Sequence, residues 1–238
     1  MARHRIIALW TTPRSRSTAF ERMMIERGDH EVFDEPFSAR YYFSPERRSD
    51  RFDGIEPGAG LEAVLADLLA AAETRPVFIK DMAYHVTDAI SATFLGQFTN
   101  SYLAREPLAA LSSLWRMWPD FTDDEAGYEA LGRAFDVVPG PVIEADDLAS
   151  DPAGIIEAWC EAIGLGFDPE ALTWEPGMVP QWVHWRDWYK GVADSSGFQA
   201  PTDLPEGPPP PPDQRVRTAA AAARPVYDRL TGQRVTAT

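Results

Sequence analysis

Two guanidinium groups and three hydroxyls fill five consecutive positions near the start of the chain: Arg14, Ser15, Arg16, Ser17 and Thr18. An arginine presents several donors in a planar fork and keeps its charge, and a hydroxyl adds a short donor that can rotate. Five such side chains converging at one turn suit an anion, phosphate or sulfate. The flanks strengthen this. Ile6-Ile7-Ala8-Leu9-Trp10 is an apolar run of the kind buried on both faces of a sheet. The chain then turns through Thr11-Thr12-Pro13 and enters a helix-forming segment, Ala19 to Glu26, with Ser17 or Thr18 placed to cap it. The first N–H groups of a helix have no partner of their own and sit at the positive end of its dipole. The plainer alternative is an ordinary buried strand followed by a capped helix. No glycine occurs between Met1 and Arg27, and no Walker pattern is present. That disfavours an ATP site in which the residue after a P-loop lysine holds Mg²⁺.

Thr12-Pro13-Arg14-Ser15-Arg16-Ser17-Thr18 resembles the 5′-phosphosulfate-binding loop of sulfotransferases that use 3′-phosphoadenosine-5′-phosphosulfate (PAPS). It is closest to the bacterial form, Pro-Arg-Ser-Gly-Ser-Thr, with Arg16 where the family more often has glycine. The resemblance implies an α/β fold, a P-loop-like three-layer sandwich with a central parallel sheet flanked by helices. It also implies roles. Arg14 falls where the family carries a lysine or arginine on the bridging oxygen. Arg105, followed by Pro107 and by Ser113 eight positions on, resembles the 3′-phosphate motif, with Ser112 the fallback serine. Glu35, in Asp34-Glu35-Pro36-Phe37, resembles the catalytic glutamate of some bacterial carbohydrate sulfotransferases. His85 is the rival base, because many members use a histidine just after a strand lysine, here Lys80. Lys80 either contacts the transferring group or pairs with Asp81. Tyr189-Lys190-Gly191 echoes a nucleotide-closing Arg-Lys-Gly loop, which makes Lys190 a further contact.

The elements that must position these residues can be read from pattern. After the first strand come Glu31-Val32-Phe33, Val77-Phe78-Ile79-Lys80, Ser101-Tyr102-Leu103-Ala104 and Pro141-Val142-Ile143-Glu144 as further short strands. Leucines at helical spacing predict a helix over Leu61 to Glu73. Helices are also expected just after His85, from Pro107 to about Met117, over Thr122 to Val138, and from Pro152 to Ile163 before Gly164. Residues 38–57 show little periodicity and read as an irregular surface excursion which, with the aromatic tail, would line the acceptor pocket. Alternating strands and helices mean βαβ units and a parallel sheet. Arg14, Glu35, Lys80 and Arg105 then all fall just beyond carboxyl ends of strands, where such sheets bind ligands. Residues 1–200 form the α/β domain in this reading, 201–213 a proline-rich linker, and 214–238 a C-terminal helix packed on the same domain, which Pro225 should break or kink. The tryptophans at 182, 185 and 188 read as core or lid packing.

Composition bounds the partners. Lys+Arg 22 against Asp+Glu 37 gives −15, so nucleic acid and anionic membrane are disfavoured. The one cysteine, Cys160, forms no intramolecular disulfide, and His4, His30 and His184 show no metal spacing. Five apolar residues after Arg5 are too short for a signal-peptide core, so a cytoplasmic protein is expected. These readings converge on a PAPS-dependent sulfotransferase acting on a small-molecule hydroxyl, with 3′,5′-adenosine bisphosphate as the spent nucleotide and no metal required. The alternatives are a nucleotide-binding phosphotransferase and a non-catalytic nucleotide-binding module of the same fold.

Overall fold

The structure is a computed structural model describing residues 3–182, 185–199 and 213–237. The chain runs β1 (Ile6–Thr11), α1 (Ser17–Arg27), β2 (Glu31–Asp34), α2 (Ser38–Phe43), α3 (Leu61–Ala71) and β3 (Val77–Met82). A 3₁₀ stretch, Ala83–Ala89, and α4 (Ala92–Leu95) lead to β4 (Thr99–Ala104). Then follow α5 (Pro107–Met117), α6 (Asp123–Ala126), α7 (Tyr128–Val137), β5 (Val142–Glu144), α8 (Ala145–Ser150), α9 (Pro152–Ile163), α10 (Arg186–Ala193) and α11 (Gln214–Thr231).

All five expected strands form, in one parallel sheet of order β2-β3-β1-β4-β5. Side chains alternate between the faces of the sheet. Ile6, Ala8 and Trp10 of β1 therefore pack with Ile79, Leu68 and Leu131 on one side. Ile7 and Leu9 pack with Phe20 and Met23 of α1 and with Ile156 and Trp159 of α9 on the other. Both faces are covered, which makes three layers. The polar residues of β4 are satisfied by indole donors, Trp10 Nε1 to Asn100 Oδ1 and Trp159 Nε1 to Ser101 Oγ, both at 2.8 Å. The chain leaves β1 toward β2 and β3 and later returns to add β4 and β5 on its other side. The crevice beyond the carboxyl ends of β1 and β4 is thus the topological switch point of the sheet.

Local expectations need three corrections. Residues 38–57 are not wholly irregular. Phe37 and Tyr41, four apart and both buried, seat α2 against the core, and Arg40 forks onto Asp88 at 2.8 and 2.9 Å. The helix expected over 122–138 is two, broken at Gly127, whose φ of +82° ends α6. A Cβ at Gly127 would lie 2.9 Å from Cδ of Pro13, so the glycine also lets this corner close on the turn after β1. The short helix expected after His85 forms as α4, beyond a 3₁₀ stretch that itself contains His85. Finally, α11 runs through Pro225 without interruption. Its Val216, Ala220 and Ala223 pack on Ala110, Leu111 and Leu114 of α5. The prolines at 208–212 and His184 lie outside the described residues.

Candidate active site

The turn after β1 is held by its own backbone. Thr12 N–H donates to the Leu103 carbonyl at 3.2 Å, and Ser15 Oγ donates to the Thr12 carbonyl at 2.7 Å. Arg16 is the residue before α1, with φ 68° and ψ 14°, and no side chain caps the helix, contrary to the expectation for Ser17 or Thr18. Left-handed backbone at Arg16 explains why glycine suits this position in the resembled loop. It also leaves the Ser17 and Thr18 hydroxyls on the cavity wall, uncommitted to the helix end. Among the described residues three non-glycines have φ in the left-handed region: Arg14 (59°), Arg16 (68°) and Glu35 (45°). All three line one cavity of about 930 Å³.

Three arginines meet at the turn. Arg14 Nε donates to Ser113 Oγ at 3.0 Å, which selects Ser113 over Ser112 as the α5 hydroxyl facing the turn. Arg105 Nη1 donates to the Arg14 carbonyl at 3.2 Å. Arg16 and Arg105 both approach Asp146 Oδ1, at 3.4 and 3.7 Å. One carboxylate does not satisfy them. Nε of Arg16 and Nε of Arg105 are buried without a hydrogen-bond partner. Burial, then the charges of Arg105 and Arg116, push the Arg14 guanidinium below its ordinary value. Burial, then Arg105, do the same to Arg16, with Asp146 opposing. Crowded cations with orphaned donors at a helix N-terminus make a site for an anion with more than one charged oxygen.

Behind the turn lies a buried acidic knot. Lys80 is fully buried, and its Nζ reaches Asp34 Oδ1 at 2.5 Å, Glu35 Oε1 at 2.8 Å and Glu21 Oε2 at 3.3 Å. It does not pair with Asp81. Adjacent strand residues face opposite sides of a sheet, so Lys80 turns toward α1 while Asp81 turns toward His85 and the Phe37 N–H. Nor does Lys80 line the cavity, so a direct contact with a transferring group has no support from its position. Burial works against the Lys80 charge, but Asp34, Glu35 and Glu21 outweigh it and hold the ammonium above its ordinary value.

Glu35 does line the cavity, with 11% of its side chain exposed. Burial raises its carboxyl above the ordinary value against the pull of Lys80, and Tyr189 Oη lies 3.5 Å from it. His85 sits deeper. Its Nδ1 is 2.6 Å from Asp81 Oδ1, Nε2 is buried without a partner, and the ring is packed among Tyr41, Tyr42 and Tyr84. It is absent from the cavity wall. Lys190 points outward, 68% exposed and paired with Asp187 at 2.7 Å, although its neighbours Tyr189 and Gly191 line the cavity.

Three carboxyls around one ammonium leave an excess of negative charge, and Glu21 carries the strain. It has no exposed surface, and neither of its oxygens makes a hydrogen bond. Burial, then Asp34, holds its carboxyl well above the ordinary range, so the folded state favours its protonated form. A raised folded value gives stability that is complete below the unfolded value and is lost as pH rises through the folded one. Glu21→Gln cannot titrate. Its unfolding free energy is therefore expected to fall less than the parent's between pH 5 and pH 8, a difference on the order of 1 kcal/mol. Parallel urea titrations at the two pH values check this, and equal slopes would mean that Glu21 folds ionised.

The 38–57 segment and the aromatic tail, expected to line an acceptor pocket, do contribute to one end of the cavity, but pattern did not single out the residues. Trp185 and Trp188 line it with Tyr42, Tyr84 and Trp118, whereas Trp182 is buried against Tyr189 as core. Spacing of three put the tryptophans on a common side but could not say which of them meets a cavity. Tyr42 and Trp118 gave no signal, because segments far apart in sequence bring them together.

Among the described residues no group of three or more His, Cys, Asp or Glu is placed to hold a metal, and no helix is long and apolar enough to cross a membrane. The family model described as "Sulfotransferase domain" matches residues 4–234. Two Arabidopsis thaliana proteins, "Branched-chain-amino-acid aminotransferase-like protein 1" and "protein 2", are 27% and 26% identical over 217 and 213 residues. These alignments cover 86% and 84% of this chain but 38% and 37% of those proteins, so the chain spans under two fifths of their length. The sulfotransferase domain from the curacin biosynthetic pathway superposes with a TM-score of 0.45 at 16% identity, covering 94% of this chain and 99% of that one. The sulfotransferase domain from the Synechococcus PCC 7002 olefin synthase gives 0.47 at 15% identity, covering 93% and 95%.

Proposed function

Since the chain belongs to the sulfotransferase domain family, we propose that its cavity takes PAPS and passes the sulfuryl group to a hydroxyl of a small-molecule acceptor. The observation that carries this is the meeting of Arg14, Arg16 and Arg105 at the start of α1, two of them with orphaned Nε donors, on the same cavity as the Glu35 carboxylate. Sulfuryl transfer needs the attacking oxygen, the sulfur and the leaving phosphate oxygen in line, with charge stabilised on the leaving side. Arg14 and the free N–H groups at the α1 terminus serve that side. Arg105 and Ser113 hold the 3′-phosphate, and Arg16 with the Ser15, Ser17 and Thr18 segment closes around the 5′ end. Glu35 takes the acceptor's proton as the new O–S bond forms and the S–O bond to phosphate breaks, the electron pair leaving on the 5′-phosphate of 3′,5′-adenosine bisphosphate. Lys80 and Tyr189 orient Glu35 from behind.

Calorimetry with 3′,5′-adenosine bisphosphate tests the donor site. The parent is expected to bind, and Arg105→Ala to lose at least about 2 kcal/mol, as when one partner of a buried charged pair is removed. Unchanged affinity would take Arg105 out of the site. Sulfated product formed from PAPS, detected by mass, tests the transfer.

A further inference from the structure

Glu35 stands in a conformation that its neighbour resists. Pro36 restricts the residue before it to extended backbone, yet Glu35 has φ of +45°. Strain of this kind persists only where the surroundings over-determine it. Here it decides where the carboxylate goes. Val32 of β2 packs with Phe20 of α1, and Asp34, two residues on, meets Lys80 on the same side, whereas Phe33 packs on the core across the sheet. By alternation an extended Glu35 would follow Phe33, away from Lys80. The left-handed turn brings it back, so that Oε1 lies 2.8 Å from Lys80 Nζ and the side chain lines the cavity.

Three hydrogen bonds hold the turn. Glu35 N–H donates to the Lys80 carbonyl at 2.7 Å, and Ser38 N–H donates to the Glu35 carbonyl at 2.9 Å. These join backbone to backbone and need no particular side chain. The third does: Phe37 N–H donates to Asp81 Oδ2 at 2.7 Å. Asp81 has no exposed surface, and a buried carboxylate costs stability unless its oxygens are occupied. Its other oxygen, Oδ1, meets His85 Nδ1 at 2.6 Å. An ionised carboxylate can only accept, so Nδ1 carries the proton between them. The histidine is fixed in turn by Tyr41, Tyr42 and Tyr84 around its ring and by Arg40, which donates to its carbonyl at 3.0 Å. Phe37 itself is sunk against Trp10 and Phe94.

Resting on the sulfuryl-transfer reading, we infer that Asp81 and His85 are positioning residues for the Glu35 base. Asp81 pins the strained turn through the Phe37 N–H, and His85 keeps Asp81 in place by occupying its second oxygen. Neither touches the reacting atoms. The histidine serves through the proton on Nδ1, not through a basic nitrogen.

The experiment sets His85→Asn against His85→Leu. The asparagine amide replaces Nδ1–H as a donor to Asp81 but has no basic nitrogen, whereas leucine fills space and donates nothing. PAPS is offered with 2-naphthol, methyl glucoside or 1-octanol as probe alcohols, products are identified by mass, and the alcohol that the parent sulfates fastest is used for kinetics. His85→Asn is expected to keep kcat within about threefold of the parent, with the parent's pH profile. His85→Leu and Asp81→Ala are expected to lose about 10- to 100-fold in kcat, the scale of a displaced catalytic group. Asp81→Asn should recover most of that, because its amide oxygen still accepts from Phe37 N–H. The Kd of 3′,5′-adenosine bisphosphate, which also reports folding, should stay within about twofold throughout. Crystal structures with the bisphosphate read the cause: Glu35 parts from Lys80 in His85→Leu and Asp81→Ala, and stays in His85→Asn.

A loss in His85→Asn as deep as in Glu35→Gln would make His85 the base and overturn the inference. So would parent kcat, or Glu35 still on Lys80, in His85→Leu. If Asp81→Ala no longer binds the bisphosphate, the two His85 variants decide, and if the parent binds it but sulfates none of the alcohols, the crystal contacts decide on the same terms. A parent that neither binds the bisphosphate nor yields any sulfated product overturns the transfer reading, and the positioning role with it.

Discussion

Glu35→Gln is expected to lower kcat by about 10²- to 10⁴-fold, the usual contribution of a positioned general base, and to leave the Kd of 3′,5′-adenosine bisphosphate within about twofold. The carboxylate must be ionised to accept the hydroxyl proton, and burial raises its pKa. Activity is therefore lost as pH falls, along a limb displaced upward from an ordinary carboxylate, and the parent's pH profile should show that limb. In Glu35→Gln the residual rate should not follow it. The glutamine keeps the shape of the side chain and can still accept from Lys80, so intact nucleotide binding separates lost chemistry from lost fold. Turnover equal to the parent's would pass the role to His85, whose unpaired Nε2 would then have to reach the cavity by a movement of the Tyr42–Tyr84 wall.

Arg14→Ala is the second large effect. Its guanidinium is half-buried near the charges of Arg105 and Arg116 and tethered to Ser113. A cation held so close to others gains most when negative charge develops in front of it. That favours the transition state over the ground state. We expect kcat to fall about 10²- to 10³-fold, the range for losing one preorganised donor to a developing anion. Bisphosphate affinity should fall less than in Arg105→Ala. Arg14→Lys should recover part of the rate by charge but not all, because the ammonium lacks the fork that spans Ser113 and a ligand oxygen. Steady-state kinetics of the three proteins, with the bisphosphate Kd of each, decide it. A uniform rise in Kd with kcat intact would make Arg14 a binding residue only.

The parallel sheet and the polar residues after its strands were legible because they depend on near neighbours in sequence. The apolar runs at Ile6 and Val77 can hardly be anything but central strands, Glu35 and Arg105 directly follow β2 and β4, and Arg14 lies three residues past the end of β1. What stayed hidden depends on direction and distance. The partner of Lys80 turned on which face of β3 it occupies, and pleating sends it to Asp34 and Glu35 across β2 rather than to its neighbour Asp81. The break at Gly127 depended on Pro13, more than a hundred residues earlier. The aromatic wall draws on α2, the 3₁₀ stretch, the residue after α5, and α10, so no window of sequence contains it. The absent cap expected of Ser17 or Thr18 had a local cause. The helix begins at Ser17 itself, and Arg16, in left-handed backbone, occupies the position before it.

That left-handed backbone reaches beyond the reaction. Each such non-glycine residue costs roughly 1–2 kcal/mol, so Arg14, Arg16 and Glu35 together forgo about 3–6 kcal/mol in a fold whose whole margin is typically about 5–15. A ligand gripping the loop binds only the folded chain and restores part of that margin. Heat resistance thus becomes a gauge of cargo: the loaded protein is expected to melt at a higher temperature than the bare one.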